Sequence, residues 1–166
     1  MCAILITMLQ IGKLFKMCHF KSILPTVDLE QIKGILGRDN IYSTLVYDGS
    51  PSLQEYVPMG LWFQLLDGDM IAGLINLIPL NNVLWQPHIF IFEQYRGNKS
   101  EQWGKLVVNF MKENCEAKKF IAFTPYVDAR RYAERVGFKC TGILNDSIQK
   151  NGMLLNQYML ELGVDE

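Results

Sequence analysis

Side chains that can do chemistry crowd one stretch of the chain: His88, Glu93, Arg96, Lys99, Ser100 and Glu101, with Gly97 among them. They lie in HIFIFEQYRGNKSEQWG, where an apolar run gives way to an Arg-Gly pair and then to the helical pattern WGKLVVNFM. A strand, a tight turn and a helix start suit an anion, because the first helix amides lack partners and the dipole is positive there. Glycine lets a phosphate come close, yet after Gly97 the glycines stop. Most contacts in such a cradle come from backbone, which any residue supplies. Lys99 would add positive charge, and Glu101 would oppose an anion unless it points outward. Arg96, Gly97, Asn98, Lys99, Ser100 and Glu101 therefore read either as an anion-binding turn or as a plain strand-to-helix turn. His88 opens the HIFIF run, and its imidazole can take a proton at neutral pH. The alternative is a strand-end histidine with a half-solvated ring.

The elements around this stretch are legible for most of the chain. Asp28 caps a helix over 28–37, with Leu29, Ile32, Ile35 and Leu36 on one face and Gly37 at its end. Residues 49–58 form a loop or a broken short helix. GLWFQLL and MIAGLINLIPL flank Asp67-Gly68, a strong hairpin signal, and VLWQPHIFIF follows Asn81-Asn82 as a third strand. The period then changes to 3.6: Trp103, Leu106, Val107, Phe110 and Met111 form one stripe, with Ser100 as N-cap and Asn114 as end. KKFIAFT is a strand closed by Pro125, and DARRYAERVGF is a helix stopped by Gly137. FKCTGIL and LLNQYMLEL are strands joined through a turn at Asn151-Gly152. A strand–helix–strand unit set among hairpins predicts an α+β (α/β layered) domain, a mixed and mostly antiparallel sheet with flanking helices.

Bulk properties narrow the classes. The 166 residues fit a single domain, 1–166, with a sizeable core. The net charge of −1 supplies no global field toward nucleic acid or acidic membranes, so neither is an expected partner. Cys2, Cys18, Cys115 and Cys140 form no CxxC pair, so they read as reduced thiols of a cytoplasmic protein, with no metal site expected. The apolar start MCAILITMLQIGKLF is too short to span a bilayer, which takes about 20 residues. It reads as a buried or amphipathic first element, or as an interface-forming segment. His19 lies where no pattern is legible and is given no role. Trp62, Trp85 and Trp103 fall at core positions rather than on a stacking platform. Arg130, Arg131 and Arg135 line a solvated helix face or reach an anionic group.

The element order, with Arg-Gly opening one helix and Gly-Phe closing the next, resembles the GNAT acetyltransferase family over roughly residues 60–162. The family's turn runs Gln/Arg-x-x-Gly-x-Gly/Ala; with its Arg on Arg96, Lys99 and Glu101 replace the two small residues. The lead-in Glu93-Gln94-Tyr95-Arg96-Gly97 is intact. The family's Asn-x-x-Ala-x-x-x-Tyr-x-x-x-Gly-Phe is matched at Ala129, Gly137 and Phe138, with Tyr126 in place of Asn and Ala133 in place of the usual catalytic tyrosine. Tyr132, one position earlier, is turned away and packs. The tail GFKCTGILNDSIQKNGMLLNQYML looks most like the ribosomal-protein N-terminal acetyltransferase branch, and also like small acetyltransferase-like proteins of bacteriophages.

The resemblance implies acyl-CoA-dependent N-acyl transfer, with acetyl-CoA (coenzyme A) as co-substrate, an amine of a protein, peptide or small molecule as acceptor, and residues 1–58 on the acceptor side. A homodimer is compatible with it. A backbone N–H near Ile91–Phe92 would stabilise the oxyanion. His88 would deprotonate the amine, Glu93 would act through a water, and Tyr126 would protonate the leaving thiolate. The competing reading is a catalytically weak or inactive binding protein on the same scaffold, of phage origin and working in the host cytoplasm. A third is a regulator that binds acyl-CoA without turnover.

Overall fold

The computed structural model describes residues 22–56 and 59–164; expectations for the apolar start, Cys2, Cys18 and His19 lie outside them. One seven-stranded sheet runs in the order β1-β2-β3-β4-β5-β7-β6. The strands are β1 (Ile23–Pro25), β2 (Leu61–Asp67), β3 (Met70–Pro79), β4 (Leu84–Ile91), β5 (Lys119–Thr124), β6 (Lys139–Lys150) and β7 (Met153–Gly163). Every pairing is antiparallel except β4 with β5. The helices are α1 (Leu29–Leu36), α2 (Asp39–Leu45), α3 (Ser100–Asn114) and α4 (Val127–Arg135). This is the mixed, layered α+β architecture the sequence predicts.

Alternation along the strands divides the core in two. Phe63, Leu65, Ile75, Leu77, Trp85 and Ile91 pack with Val107, Phe110 and Met111 of α3. Trp62, Leu74 and Phe92 pack with Ile32, Ile35 and Leu36 of α1 and with Ile41 of α2. The helices thus cover opposite faces of the central strands. Trp62 and Trp85 are buried and Trp103 packs against the core, as their spacing predicts.

Local signals account for most boundaries. Asp28 caps α1 by accepting the Gln31 amide at 3.0 Å. The β2–β3 hairpin turns on Gly68-Asp69, one residue later than read, with Asp67 opposite Met70. The Asn151-Gly152 turn stands where predicted, both residues at positive φ. Two elements escaped the sequence: β1, only three residues long, and α2. Strand β6 also runs past Leu144, through an irregularity between Leu144 and Ile148 where Asp146 takes φ 47°.

Candidate active site

Strands β4 and β5 pair only at Leu84–Lys119 and Trp85–Phe120. Beyond that, β5 continues against β7 alone and β4 against β3 alone, so the two parallel strands part into an open gap. Register decides which amides face it. The Phe92 amide donates to the Ala72 carbonyl at 2.9 Å, so even-numbered residues of β4 bond to β3. The amides of Ile89 and Ile91 therefore point toward the gap. Pro87 has the same parity and no N–H to lose, which suits it to the point where the strand leaves its neighbour. The expected donor pair Ile91–Phe92 is thus corrected: Ile91 qualifies, Phe92 is committed to β3 and buried, and Ile89 takes its place.

Two 3₁₀ turns, Glu93–Tyr95 and Gly97–Lys99, carry β4 into α3. Gly97 sits at φ +84°, a left-handed conformation that disfavours side chains, with open space where a Cβ would stand. The Arg96 side chain folds back and its Nε donates to the Ile91 carbonyl at 3.0 Å, bracing the strand end. Ser100 is not the N-cap: it is the first helical residue, and its hydroxyl donates to the Gly97 carbonyl at 2.7 Å. The helix follows directly from a 3₁₀ turn, so no side chain has to cap it. Glu101 points away along the helix, paired with Lys105 at 2.7 Å and Arg135 at 3.8 Å. The Lys105 hydrogen bond, with the charges of Lys105 and Arg135, holds its carboxyl below the ordinary range. The charge that seemed to oppose an anion is thus offset by two cations.

Tyr132 packs, as expected from its place on α4. Its hydroxyl donates to the Ser100 carbonyl at 2.9 Å, and burial pushes its pKa up to about 12. A Cβ on Gly104 would lie 2.4 Å from that hydroxyl and 2.6 Å from Val136 Cγ1. Gly104, which the sequence reading passed over, is what lets α3 and α4 close on each other. Ala133 packs beside the larger core and has no hydroxyl to offer.

On the α1–α2 side of the sheet lies a pocket of about 190 Å³. His88 lines it from the interior of β4, not from a strand end, because β4 begins four residues earlier at Leu84. Its ring stacks on Phe90 at 6.4 Å, and burial, which disfavours the imidazolium, lowers its pKa. Glu93 is exposed and does not line the pocket, with Asn40 Nδ2 of α2 at 3.5 Å from its carboxylate. Tyr126 precedes α4, and its hydroxyl accepts from Lys150 Nζ at 3.0 Å. Lys150 also donates to the Ser43 carbonyl of α2. Burial and then Tyr126 push the neighbouring Tyr47 up to about 12. The Asp48 carboxylate accepts the amides of Asn151 and Gly152 at 2.9 and 2.7 Å, tying the β6–β7 hairpin tip to the segment after α2. His88, Glu93 and Tyr126 thus gather around α2 and the residues that follow it. Lys150, Tyr47 and Asp48 went unnoticed in sequence, since only long-range folding brings them there.

No protein-family model matches the chain, and no curated protein matches it. Solved structures do. A spermidine N-acetyltransferase from Vibrio cholerae, in complex with CoA and spermine, superposes with a TM-score of 0.70 at 16% identity, covering 87% of this chain and 96% of that one. A GNAT-family acetyltransferase from Bacillus anthracis gives a TM-score of 0.55 at 13% identity over 63% of this chain and 67% of that one. The chain has the GNAT acetyltransferase fold.

Proposed function

We propose that the protein is an acyl-CoA-dependent N-acyltransferase, using acetyl-CoA to acylate a primary amine. One observation carries the reading: the strand with amides open to the β4–β5 gap, at Ile89 and Ile91, runs straight into the Arg96–Ser100 turn. Fixed N–H donors stand ready for the oxyanion of acyl transfer, and an anion-accepting turn lies at the end of the same strand. The CoA complex of the structural neighbour from Vibrio cholerae supports the cofactor class.

In the reaction, the amine nitrogen attacks the thioester carbonyl carbon, and the carbonyl oxygen gains charge facing the Ile89 or Ile91 amide. The C–S bond then breaks. One amine proton passes to His88, whose lowered pKa keeps the ring neutral and able to accept it. Glu93 would relay through water. The thiolate takes a proton from Tyr126, whose hydroxyl accepts from Lys150 Nζ and is thereby held in place. Ala133 favours the second reading, a weak or inactive binding protein on this scaffold. Thiol release from acetyl-CoA, followed with a panel of amines, separates the two. Binding without thiol release by any amine would overturn the enzyme reading, and no binding at all would leave Arg96–Gly97 as a turn.

A further inference from the structure

We infer that the acceptor is a compact amine carried on an aromatic or apolar group, and not a polyamine; this rests on the acyltransferase reading. The pocket under α2 is lined by Tyr42, Tyr56, Trp62, Phe90 and His88; aliphatic residues fill most of the rest, with Ser50 and the buried Asn76, whose Nδ2 donates to the Met59 carbonyl at 2.8 Å, as neutral polar members. No carboxylate, lysine or arginine lines it among the described residues. A polyamine carries several ammonium groups, and each one buried without a carboxylate would be heavily penalised. An aromatic group meets the opposite balance, since ring faces and aliphatic carbons supply dispersion and edge contacts. The size agrees. Apolar cavities of about 150 Å³ already admit benzene, and this one is about 190 Å³.

The position of the pocket supplies the link to chemistry. His88 and Phe90, which line it, flank Ile89, whose amide faces the gap. A group seated among the rings would hold an amine on a short arm beside His88, within one residue of the proposed oxyanion donor. The apolar lining also helps the chemistry. Removed from water, an ammonium loses stability, so the amine binds in its neutral, nucleophilic form. A carboxylate there would have held the proton on.

The test uses the whole chain with acetyl-CoA and three acceptors: 2-phenylethylamine, a tripeptide led by phenylalanine, and spermidine. The first two share the aryl-amine chemistry and distinguish a free amine from a peptide N-terminus. Expected is a kcat/KM for at least one of them exceeding that for spermidine by roughly tenfold or more. Val46→Trp, which fills the pocket from the end of α2, should lower that value while keeping the melting-temperature rise given by acetyl-CoA. Leu53→Phe serves the same purpose from the neighbouring loop should Val46→Trp fail to fold. Separately, 2-phenylethylamine alone should perturb tryptophan emission in the wild type and not in Trp62→Phe. Preference for spermidine overturns the inference. So does the absence of both aryl turnover and any Trp62 response while acetyl-CoA still binds, an outcome that leaves the cofactor site standing. A Trp62 response without acetyl-CoA binding supports the pocket and sinks the acyltransferase reading instead.

Discussion

Replacing Gly97 with valine tests whether the turn after β4 is a binding site. At φ +84° the new side chain enters a conformation that costs about 1–3 kcal/mol. Nothing within 4 Å of the Cβ position adds a clash, so strain is the whole expected penalty. For a domain of this size that lowers the melting temperature by roughly 2–12 °C, at about 2–4 °C per kcal/mol. Gly68→Val, in the β2–β3 hairpin at φ +62° and also in open space, carries a comparable strain far from the turn in sequence and serves as control. The ligand effect separates the two. Acetyl-CoA at 100 times its Kd adds about 2.7 kcal/mol to the native state, or roughly 5–11 °C on the same scale. Wild type and Gly68→Val should both show that rise by differential scanning fluorimetry. Gly97→Val should lose most of it, because a branched side chain fills the space through which an anion would approach. A full rise in Gly97→Val would refute the placement of the anion at this turn, and a rise lost equally in both variants would refute the assignment of the loss to the site.

Three further outcomes follow from the geometry. Gly104→Ala should destabilise the protein by about 1–3 kcal/mol through overpacking against Tyr132 and Val136, outweighing the roughly 1 kcal/mol that alanine gains in a helix; urea unfolding reads the sign. Tyr126→Phe should slow acyl transfer by roughly 10²-fold or more if that hydroxyl protonates the thiolate, Lys150→Met should slow it in the same direction, and Ala133→Tyr should restore part of the rate in Tyr126→Phe. Because the folded pKa of His88 lies below its ordinary 6.5, the acid limb of the rate profile should fall at a lower pH than that value. The same depression makes the neutral ring a source of stability above pH 6.5 that is lost as pH falls through the folded pKa, so His88→Leu should flatten the acid loss of stability seen by urea unfolding.

The fold was legible wherever a local rule decides the geometry. Asp28 as a cap, Gly137 at φ +112° ending α4 and the Asn151-Gly152 turn each fix a boundary through their own backbone chemistry. Helix α2 gave no such signal. Its seven residues, DNIYSTL, have no side-chain cap, and Ile41 is the one apolar member fully buried in the core. Its helical state comes from packing on the sheet, which a pattern search cannot see. The site divides in the same way. Gly97 announces its turn, whereas the choice between Ile89 and Phe92 as a free donor rests on strand register, where a shift of one residue exchanges the two edges. Lys150 carries no signal in sequence beyond its place beside the Asn151-Gly152 turn; only contacts with Ser43 and Tyr126 give it a role.

On the proposed reading, Lys99 and Glu101 in place of small residues bear on how an anion would be held at the turn. Glycine contributes close approach; charge contributes attraction over a longer range. Along residues 93–105, Arg96, Lys99 and Lys105 outnumber Glu93 and Glu101, even though the chain as a whole carries −1. Arg96 is spent on the strand end, where its Nε holds the Ile91 carbonyl, while the amide of the same peptide, that of Phe92, is held by the Ala72 carbonyl. Lys99 remains exposed at the helix start, and Glu101 is drawn off by its two partners. The Tyr132 hydroxyl on the Ser100 carbonyl then anchors the first turn of α3 to α4. On the proposed reading, a turn so braced would keep its remaining amides in one orientation, so that backbone rather than side-chain identity would do the binding.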